Sequence, residues 1–408
     1  MAELLPPAPW TRRTDLARLV AALGPGQARY VGGAVRDTLF AERFGLRLEV
    51  KDIDLATPLL PAEVMARLDA AKIGHVPTGL AHGTITAILK EGPVEITTLR
   101  HDVSTDGRRA TVAFAGEWRQ DAARRDFTIN ALYADPASGT IADFFGGLED
   151  LAARRVRFIG DAQERIREDH LRILRYFRFQ ARFGSLPADA ASEAACAELA
   201  ATLKGLSRER IGMEMLNLLA LPDPAPTVAR MAELGVLGQV VPEARVAGLA
   251  ALVAEEARQE IAPVALRRLA ALLPVDAEIA GQVAARFRLS GAQKKRLMSA
   301  AGRNEKPLLL SDARQELASA ARALAYRLGL EQALDRLLLT GANTSPLKGW
   351  TIPIFPLKGG AIVARGIKAG PQVARLLRAV EDRWVAEGFP AEERVWEILG
   401  EELPAGSS

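Results

Sequence analysis

The chain has 408 residues, of which 49% are hydrophobic and 25% charged, and its formal net charge is +3. This length predicts two or three domains, and no apolar run approaches the roughly 18 residues of a membrane-spanning helix. The single cysteine excludes an internal disulfide framework, and with four histidines any metal is expected to be held by oxygen. The first residues lack the apolar core of a secretory signal, so we expect a cytoplasmic protein without a membrane partner.

Short β-rich segments separated by glycine or proline turns dominate the chain up to about residue 145. The predicted strands lie in ARYVGG, LEVKDIDLAT, GTITAILK and PVEITTLR. Their alternation with amphipathic segments predicts an α/β or α+β unit. After GLEDLAARR, stretches rich in Ala, Leu, Arg and Glu with a helical period predict that the remainder is mostly helical.

The first part of a candidate site is a glycine pair between a predicted strand and a predicted helix. In YVGGAVRDTLF, Gly32 and Gly33 allow backbone N–H groups to approach a phosphate closely, and the following helix start favours anions. Arg36 is expected to bind phosphate oxygens with its guanidinium. Taken alone, the glycine pair is also typical of an ordinary tight turn.

Two aspartates lie in the next predicted strand, EVKDIDLAT. Because side chains alternate along a strand, Asp52 and Asp54 are expected on the same face, where their mutual repulsion favours a cation. Such oxygen ligands suit Mg²⁺ that also bridges to substrate phosphates, so Mg²⁺ is the predicted cofactor. Glu95, on a later strand, is either a third catalytic acid, as metal ligand or base, or a residue that serves the fold alone.

The stretch ARRDFTINALY adds further polar residues. Asp126 and Asn130 are one turn apart on a predicted helix, so we expect them to hold each other or a ribose, with Arg125 near phosphate. Together with the glycine turn and the acids, these residues predict a phosphoryl-transfer site.

Residues 151–183 carry nine arginines and four acidic residues. If residues 165–182 form one helix, Asp169 and Arg172 share a face about 4.5 Å apart along the axis. Arg175 and Arg178 lie on another face and are expected to bind phosphate or RNA. A charged solvent face of a surface helix is the simpler alternative.

The spacing of Asp169 and Arg172 suits the recognition of a nucleobase. A carboxylate only accepts hydrogen bonds and a guanidinium only donates them. Cytosine and adenine present an amine beside a ring-nitrogen acceptor and fit the pair, whereas uracil and guanine present the reverse order. A mismatched base leaves buried polar groups unpaired, so the pair predicts selection of C and A without a template.

The chain resembles the class II tRNA nucleotidyltransferase and bacterial poly(A) polymerase family, within the DNA polymerase β-like nucleotidyltransferases, over roughly residues 28–219. The motifs that carry the resemblance are, in order, GGAVRD, DIDLAT, RRDFTINAL, DPASGTIADFFGG, REDHLR and SRERIGMEML. The resemblance implies an α+β protein: a nucleotidyltransferase head with a mixed β-sheet, followed by all-α neck, body and tail domains. We expect these domains at 1–145, 146–220, 221–310 and 311–408.

The resemblance also implies roles for individual residues. Asp52 and Asp54 would bind the catalytic metals, and the motif formed by Glu168, Asp169 and Arg172 would read the base. The triphosphate would be held by Gly32, Gly33, Arg36 and Arg125.

The activity implied is the addition of C, C and A from CTP and ATP to the 3′ end of tRNA, with release of pyrophosphate and no deducible protein partner. Residues 100–121 are predicted to form a long mobile loop, which the resembled enzymes need for the adenine step; an ordinary hairpin is the alternative. Two other functions stay open: a poly(A) polymerase, and an inactive RNA-binding or nucleotide-sensing protein on the same fold.

Overall fold

The computed structural model describes residues 3–50, 52–106, 109–114, 116–303 and 314–403. The chain divides into two compact units, Met1–Pro242 and Glu243–Ser408. The finer division into head, neck, body and tail domains stays a prediction. In the ranges just given, no helix is both long and apolar enough to cross a membrane.

A seven-stranded mixed sheet organises the first unit, in the order β3-β4-β5-β2-β1-β8-β9. Strands β2 and β5 run parallel, and the other neighbouring strands are antiparallel. The structure confirms a strand in each of the four predicted segments, whereas β3, β8 and β9 were not predicted. The strands are β1 (Arg29–Val31), β2 (Ile53–Thr57), β3 (Gly74–Gly79), β4 (Thr84–Ile88), β5 (Val94–Thr98), β6 (Arg100–Asp106), β7 (Arg109–Phe114), β8 (Leu132–Ala134) and β9 (Ile141–Asp143).

Alternating side chains give the middle of the sheet one buried apolar face. Ile85 on β4 and Val94 and Ile96 on β5 are fully buried, whereas Glu95 is exposed between the latter two. Helix α3 (Pro61–Ala70) packs near β4, and its Leu68 is fully buried. The opposite face, which carries Glu95, is therefore the one available to a ligand.

Of the two interpretations of residues 100–121, the structure agrees with the hairpin rather than with the long loop. β6 and β7 form an antiparallel two-stranded hairpin in which Arg100 lies opposite Phe114, and helix α4 covers Trp118–Ala123. The sequence carries a signal for this hairpin, because an Asp-Gly dipeptide at 106–107 separates segments rich in β-branched residues.

Helices make up most of the first unit outside the sheet. The expectation of one helix over residues 165–182 was wrong, because α6 ends at Glu168 and α7 begins at Arg172. At the break Asp169 has an extended backbone, and its Oδ1 accepts a hydrogen bond from the Leu171 N–H at 3.1 Å. A short acidic side chain that binds nearby backbone in this way competes with helix continuation. The helices of this unit, besides α3 and α4, are α1 (Thr14–Leu23), α2 (Gly33–Phe44), α5 (Gly147–Ala152), α6 (Ala162–Glu168), α7 (Arg172–Phe183), α8 (Ala190–Glu198), α9 (Arg208–Leu219), α10 (Ala225–Glu233) and α11 (Leu237–Val240).

The second unit is helical in the part that the structure describes, which agrees with the prediction for this half of the chain. One of its cores surrounds Trp384, which is 2% exposed and packs edge-on against Phe389 with ring centroids 5.0 Å apart. The helices are α12 (Ala247–Arg258), α13 (Ala265–Leu272), α14 (Ala277–Arg286), α15 (Gly291–Ala301), α16 (Arg314–Leu328), α17 (Leu330–Leu339), α18 (Gly359–Val363), α19 (Pro371–Ala386) and α20 (Glu392–Glu402).

Candidate active site

The pairing of three strands brings the glycine turn and the predicted acids together. Val31, the last residue of β1, lies opposite Asp54 on β2, and Gly32 and Gly33 follow it into α2. On the other side of β2, the parallel strand β5 places Glu95 beside Asp54. The start of α2 and the acidic side chains therefore meet at one end of these strands.

Asp54 is the residue of this acidic cluster whose pKa is raised by its surroundings. Asp52, which directly precedes β2, and Glu95 are exposed, whereas Asp54 is partly buried. Burial raises the pKa of Asp54 to about 6; the charges of Glu95 and Asp52 act in the same direction and Arg125 opposes them. A carboxylate destabilised by burial and by like charges is stabilised when a cation binds beside it.

The acidic residues fit a metal ion that is shared with a substrate. No group of three or more His, Cys, Asp or Glu side chains surrounds a single metal position among the residues that the structure describes. Mg²⁺ is commonly bound by one or two carboxylates together with water and substrate phosphates. Asp52 and Asp54 provide such an open set of oxygen ligands, and the role of Glu95 as ligand or base stays a prediction.

Two arginines approach the glycine turn at the start of α2. Gly32 has a φ of 69°, which favours glycine, and a Cβ there would lie 3.5 Å from Arg125 Nη1. A Cβ on Gly33 would lie 3.9 Å from Arg36 Nη2. Arg125 and the positive end of the helix are therefore placed to act on one anion. Arg36 is buried and its Nη2 pairs with Asp37 at 2.6 Å, so its predicted contact with a triphosphate stays a prediction.

Arg125 is held by two residues that the sequence did not single out. Its Nη2 pairs with Asp121 at 3.3 Å and its Nε donates to the Tyr133 hydroxyl at 3.1 Å. That hydroxyl in turn donates to Asp121 at 2.6 Å. Burial alone would raise the pKa of Asp121, but Arg125, Arg124 and the hydroxyl hold this pKa below its usual value.

Asp126 and Asn130 hold each other as predicted, though not on an α-helix. The Asn130 Nδ2 donates to Asp126 Oδ1 at 2.8 Å, and Asn130 ends a single 3₁₀ turn, Thr128–Asn130. The chain leaves that turn because Leu132 begins β8, whose pairing with β1 requires an extended backbone. Asn130 Oδ1 also accepts from Arg36, so this pair also holds the Arg36 guanidinium.

Asp126 is also bound by an arginine of α7. Arg175 Nε donates to its Oδ2 at 2.8 Å. Burial opposes ionisation of Asp126, but Arg175 and Asn130 lower its pKa to about 2. Arg178 is held in the same manner, because its Nε donates to Glu214 Oε2 at 2.6 Å.

Asp169 and Arg172, the predicted base-reading pair, are each held by a different partner. Asp169 Oδ2 accepts from Arg210 Nη2 at 2.6 Å, and Arg172 pairs with Glu168. Arg172 Nη2 also donates to the backbone oxygen of Arg124 at 3.3 Å, next to Arg125 in the chain. The contact of Arg210 with Asp169 was not predicted, although Arg210 lies inside the motif SRERIGMEML.

Comparison with known proteins shows which families the chain is similar to. The pattern of the poly A polymerase head domain matches residues 28–157, and that described as a probable RNA- and SrmB-binding site of polymerase A matches residues 189–247. The chain is 46% identical to human "CCA tRNA nucleotidyltransferase 1, mitochondrial" over 196 residues, 47% of this chain and 44% of the relative. It is 39% identical to the "CCA-adding enzyme" of Geobacillus thermodenitrificans over 212 residues, 51% and 49% of the two chains.

Over residues 28–157 and 189–247 the chain is thus similar to the family of CCA-adding enzymes and poly(A) polymerases. Its alignments span about half the length of the curated relatives that it matches. Enzymes of this family use divalent metal ions, which agrees with the open acidic cluster around Asp54.

Solved structures of family members share the fold over nearly the whole chain. The CCA-adding enzyme of Bacillus stearothermophilus in complex with CTP has a TM-score of 0.68 and 27% identity, covering 95% of this chain and 96% of that one. The Thermotoga maritima CCA-adding enzyme complexed with tRNA has a TM-score of 0.65 at 20% identity, covering 93% and 92%. The predicted mixed-sheet head and helical remainder are thus confirmed.

Proposed function

We propose that this chain is a template-independent CCA-adding tRNA nucleotidyltransferase, which adds C, C and A to the tRNA 3′ end from CTP and ATP. One observation carries the proposal: Asp54, with a raised pKa, lies beside the glycine turn at the start of α2, where the Arg125 guanidinium lies next to Gly32. The names of the curated relatives support the choice of tRNA and of the two nucleotides.

In the proposed reaction, the terminal 3′-hydroxyl oxygen of the RNA bonds to the α-phosphorus of the nucleotide. The bond from that phosphorus to the oxygen bridging to the β-phosphate breaks, pyrophosphate leaves, and the hydroxyl proton is lost. Arg36, Arg125 and the N-terminus of α2 would neutralise the triphosphate. Mg²⁺, held by Asp52 and Asp54, would supply charge stabilisation at the attacking and leaving oxygens.

Base choice is proposed to depend on Asp169 and Arg172. Arg210 and Glu168 hold the two side chains in place, so their hydrogen-bonding groups are oriented before a base arrives. Such prior orientation avoids part of the ordering cost of binding. Arg175 and Arg178 are proposed to contact phosphate or RNA through the guanidinium N–H groups that do not bind their acidic partners.

A poly(A) polymerase is the second candidate, because two polymerase A patterns match the chain. Both activities use ATP and the same kind of head, so the use of CTP separates them. We place the protein in the cytoplasm as part of the proposal; the human relative is named mitochondrial, so fractionation of cells that express the chain is the direct check.

The proposal is tested by incubating the full chain and Mg²⁺ with a tRNA that lacks its 3′ CCA, supplying CTP, ATP or both, and resolving products nucleotide by nucleotide. We expect two additions with CTP alone and a stop at CCA with both nucleotides. A long adenosine ladder without CTP would establish the poly(A) polymerase instead. No extension under any condition would leave the inactive RNA-binding or nucleotide-sensing protein.

A further inference from the structure

Asp121 joins three parts of the first unit through its two carboxylate oxygens. Oδ2 accepts from the Tyr133 hydroxyl at 2.6 Å and from Arg125 Nη2 at 3.3 Å. Oδ1 accepts from Arg124 Nε at 2.8 Å and from the backbone N–H of Arg100, the first residue of β6, at 3.4 Å. Asp121 is only 1% exposed, so these groups replace water around its charge.

These contacts determine which part of the Arg125 guanidinium faces the site. Its Nε is engaged by Tyr133 and its Nη2 by Asp121, while Nη1 is the nitrogen that lies beside Gly32. A planar guanidinium bound at two of its nitrogens has little freedom to rotate. The Nη1 edge is therefore directed at the place proposed for the triphosphate.

The position of the Tyr133 hydroxyl is fixed by the sheet. Tyr133 on β8 lies opposite Val31 on β1, the residue directly before Gly32. Its ring is fully buried and packs edge-on against Trp118 of α4, with ring centroids 5.7 Å apart. The hydroxyl that bridges Asp121 and Arg125 thus belongs to β8, the strand that pairs with β1, which the glycine turn directly follows.

We propose that Asp121, together with the Tyr133 hydroxyl, is a positioning residue that aims Arg125 at the nucleotide triphosphate and ties the base of the β6–β7 hairpin to the same carboxylate. The inference rests on the proposed function and deepens it, because it assigns a role to two residues outside the predicted site. Its consequence is specific: losing the bridge weakens the binding of triphosphates and not of the base. If the two residues had a purely structural role, their loss would lower the stability of the chain and would not separate triphosphate binding from base binding.

The test compares Tyr133→Phe and Asp121→Asn with the wild-type full chain, in equilibrium binding of CTP, ATP and CMP with Ca²⁺ in place of Mg²⁺. Because a hydrogen bond that orients a charged group is lost, we expect both variants to bind CTP and ATP about tenfold more weakly. The affinity for CMP, which lacks the β- and γ-phosphates, stays unchanged. Tyr133→Phe removes only the hydroxyl and preserves the buried ring, so it tests the idea even if Asp121→Asn fails to fold.

Two further comparisons separate positioning from stability. Arg125→Ala is expected to weaken CTP binding strongly in the wild type and much less in the Tyr133→Phe background, because the two changes act on one group. Glu193→Gln is the matched control, since Glu193 is a buried carboxylate of the same unit that pairs with Arg230 at 2.8 Å. It should leave CTP affinity unchanged.

Several results would overturn the inference. Folded Tyr133→Phe with wild-type CTP affinity would show that the bridge does not orient Arg125. An equal loss of CMP and CTP binding would show a general distortion of the site. If the wild-type chain binds none of the nucleotides, the proposed function is overturned, and the inference with it. This outcome is recognised from the wild type alone, before any variant is made.

Discussion

Each unit of this chain has a cluster of charged side chains, and the two clusters are built differently. In the second unit, Glu256 is 2% exposed and accepts from Arg267 Nη1 and Arg268 Nε, each at 2.8 Å. Asp335 is fully buried and pairs with Arg267 at 3.0 Å and with Arg296 at 2.6 Å. Carboxylates and guanidinium groups alternate there, so each charge has an opposite partner.

The cluster around Asp54 in the first unit lacks that balance. Glu95 is its strand neighbour, Asp52 lies two residues away, and of the groups acting on its pKa only Arg125 favours ionisation. The paired cluster is neutralised by its own side chains and needs no ligand. The acidic cluster around Asp54 favours a cation, and the guanidinium groups and helix N-terminus beside it favour an anion. The comparison distinguishes charges that are paired within the fold from charges that we propose to interact with a ligand.

The largest expected effect concerns the unbalanced cluster. Asp54→Ala should reduce nucleotide addition to tRNA by about a thousandfold or more, because the proposed metal ligand at the reacting phosphate is lost. Single-turnover extension with CTP measures it. The control is Asp69→Ala, which removes an exposed carboxylate that pairs with His75. Equal activity of Asp54→Ala and the control would contradict a catalytic role for the cluster.

The balanced cluster should respond in stability instead. Asp335→Asn leaves Arg267 and Arg296 short of a charge partner in a buried site, which typically costs about 3 kcal/mol of the free energy of unfolding. Glu331→Gln is the control, because Glu331 also pairs with Arg296 but its side chain is 78% exposed; its cost should be below about 0.5 kcal/mol. Chemical denaturation compares them, and similar costs would refute the structural interpretation.

Base selection is expected to show a smaller change in activity. Arg172→Ala removes the donor that we propose distinguishes cytosine from uracil, so the preference for CTP over UTP in kcat/KM should fall by about a hundredfold. Arg167→Ala, on the same segment but exposed and bound to Gln163, is the matched control. Unchanged selectivity in Arg172→Ala would assign base reading to other residues.

The smallest effect is on the pH dependence of stability without metal. The pKa of Asp54 is about 6 in the folded chain and 3.8 when unperturbed, so ionisation costs stability as pH rises between these values, and the full cost persists above pH 6. Asp54→Asn should therefore stabilise the chelator-treated protein at pH 8 by about 1 kcal/mol, allowing for solvent screening. The gain should shrink towards pH 4.5 in thermal melts. A gain that grows on acidification would have the wrong sign.

Local patterns in the sequence predicted the parts of the site that depend on neighbouring residues. Strand alternation located Asp54 and Glu95, and the glycine pair located the start of α2, because each pattern lies within a few residues of the chain. The short acid-to-backbone contact that breaks the predicted helix at Asp169 is also local, but helical periodicity alone does not reveal it.

The partners that hold the site could not be read from the sequence. Arg210 is 41 residues from Asp169, and Tyr133 on β8 is eight residues from Arg125. Such contacts depend on the assembled sheet and helices, and no spacing in the sequence encodes them. The motifs predicted the groups that face the substrate, whereas the fold determines how they are oriented.

The central claim is that side chains of the first unit select the nucleotide without a template. Its most direct test is equilibrium binding of the four nucleoside triphosphates to the wild-type chain, without RNA and with Ca²⁺ in place of Mg²⁺. We expect CTP and ATP to bind, and UTP and GTP to bind at least about a hundredfold more weakly, because Asp169 and Arg172 mismatch their edges. Equal affinity for all four would contradict the account.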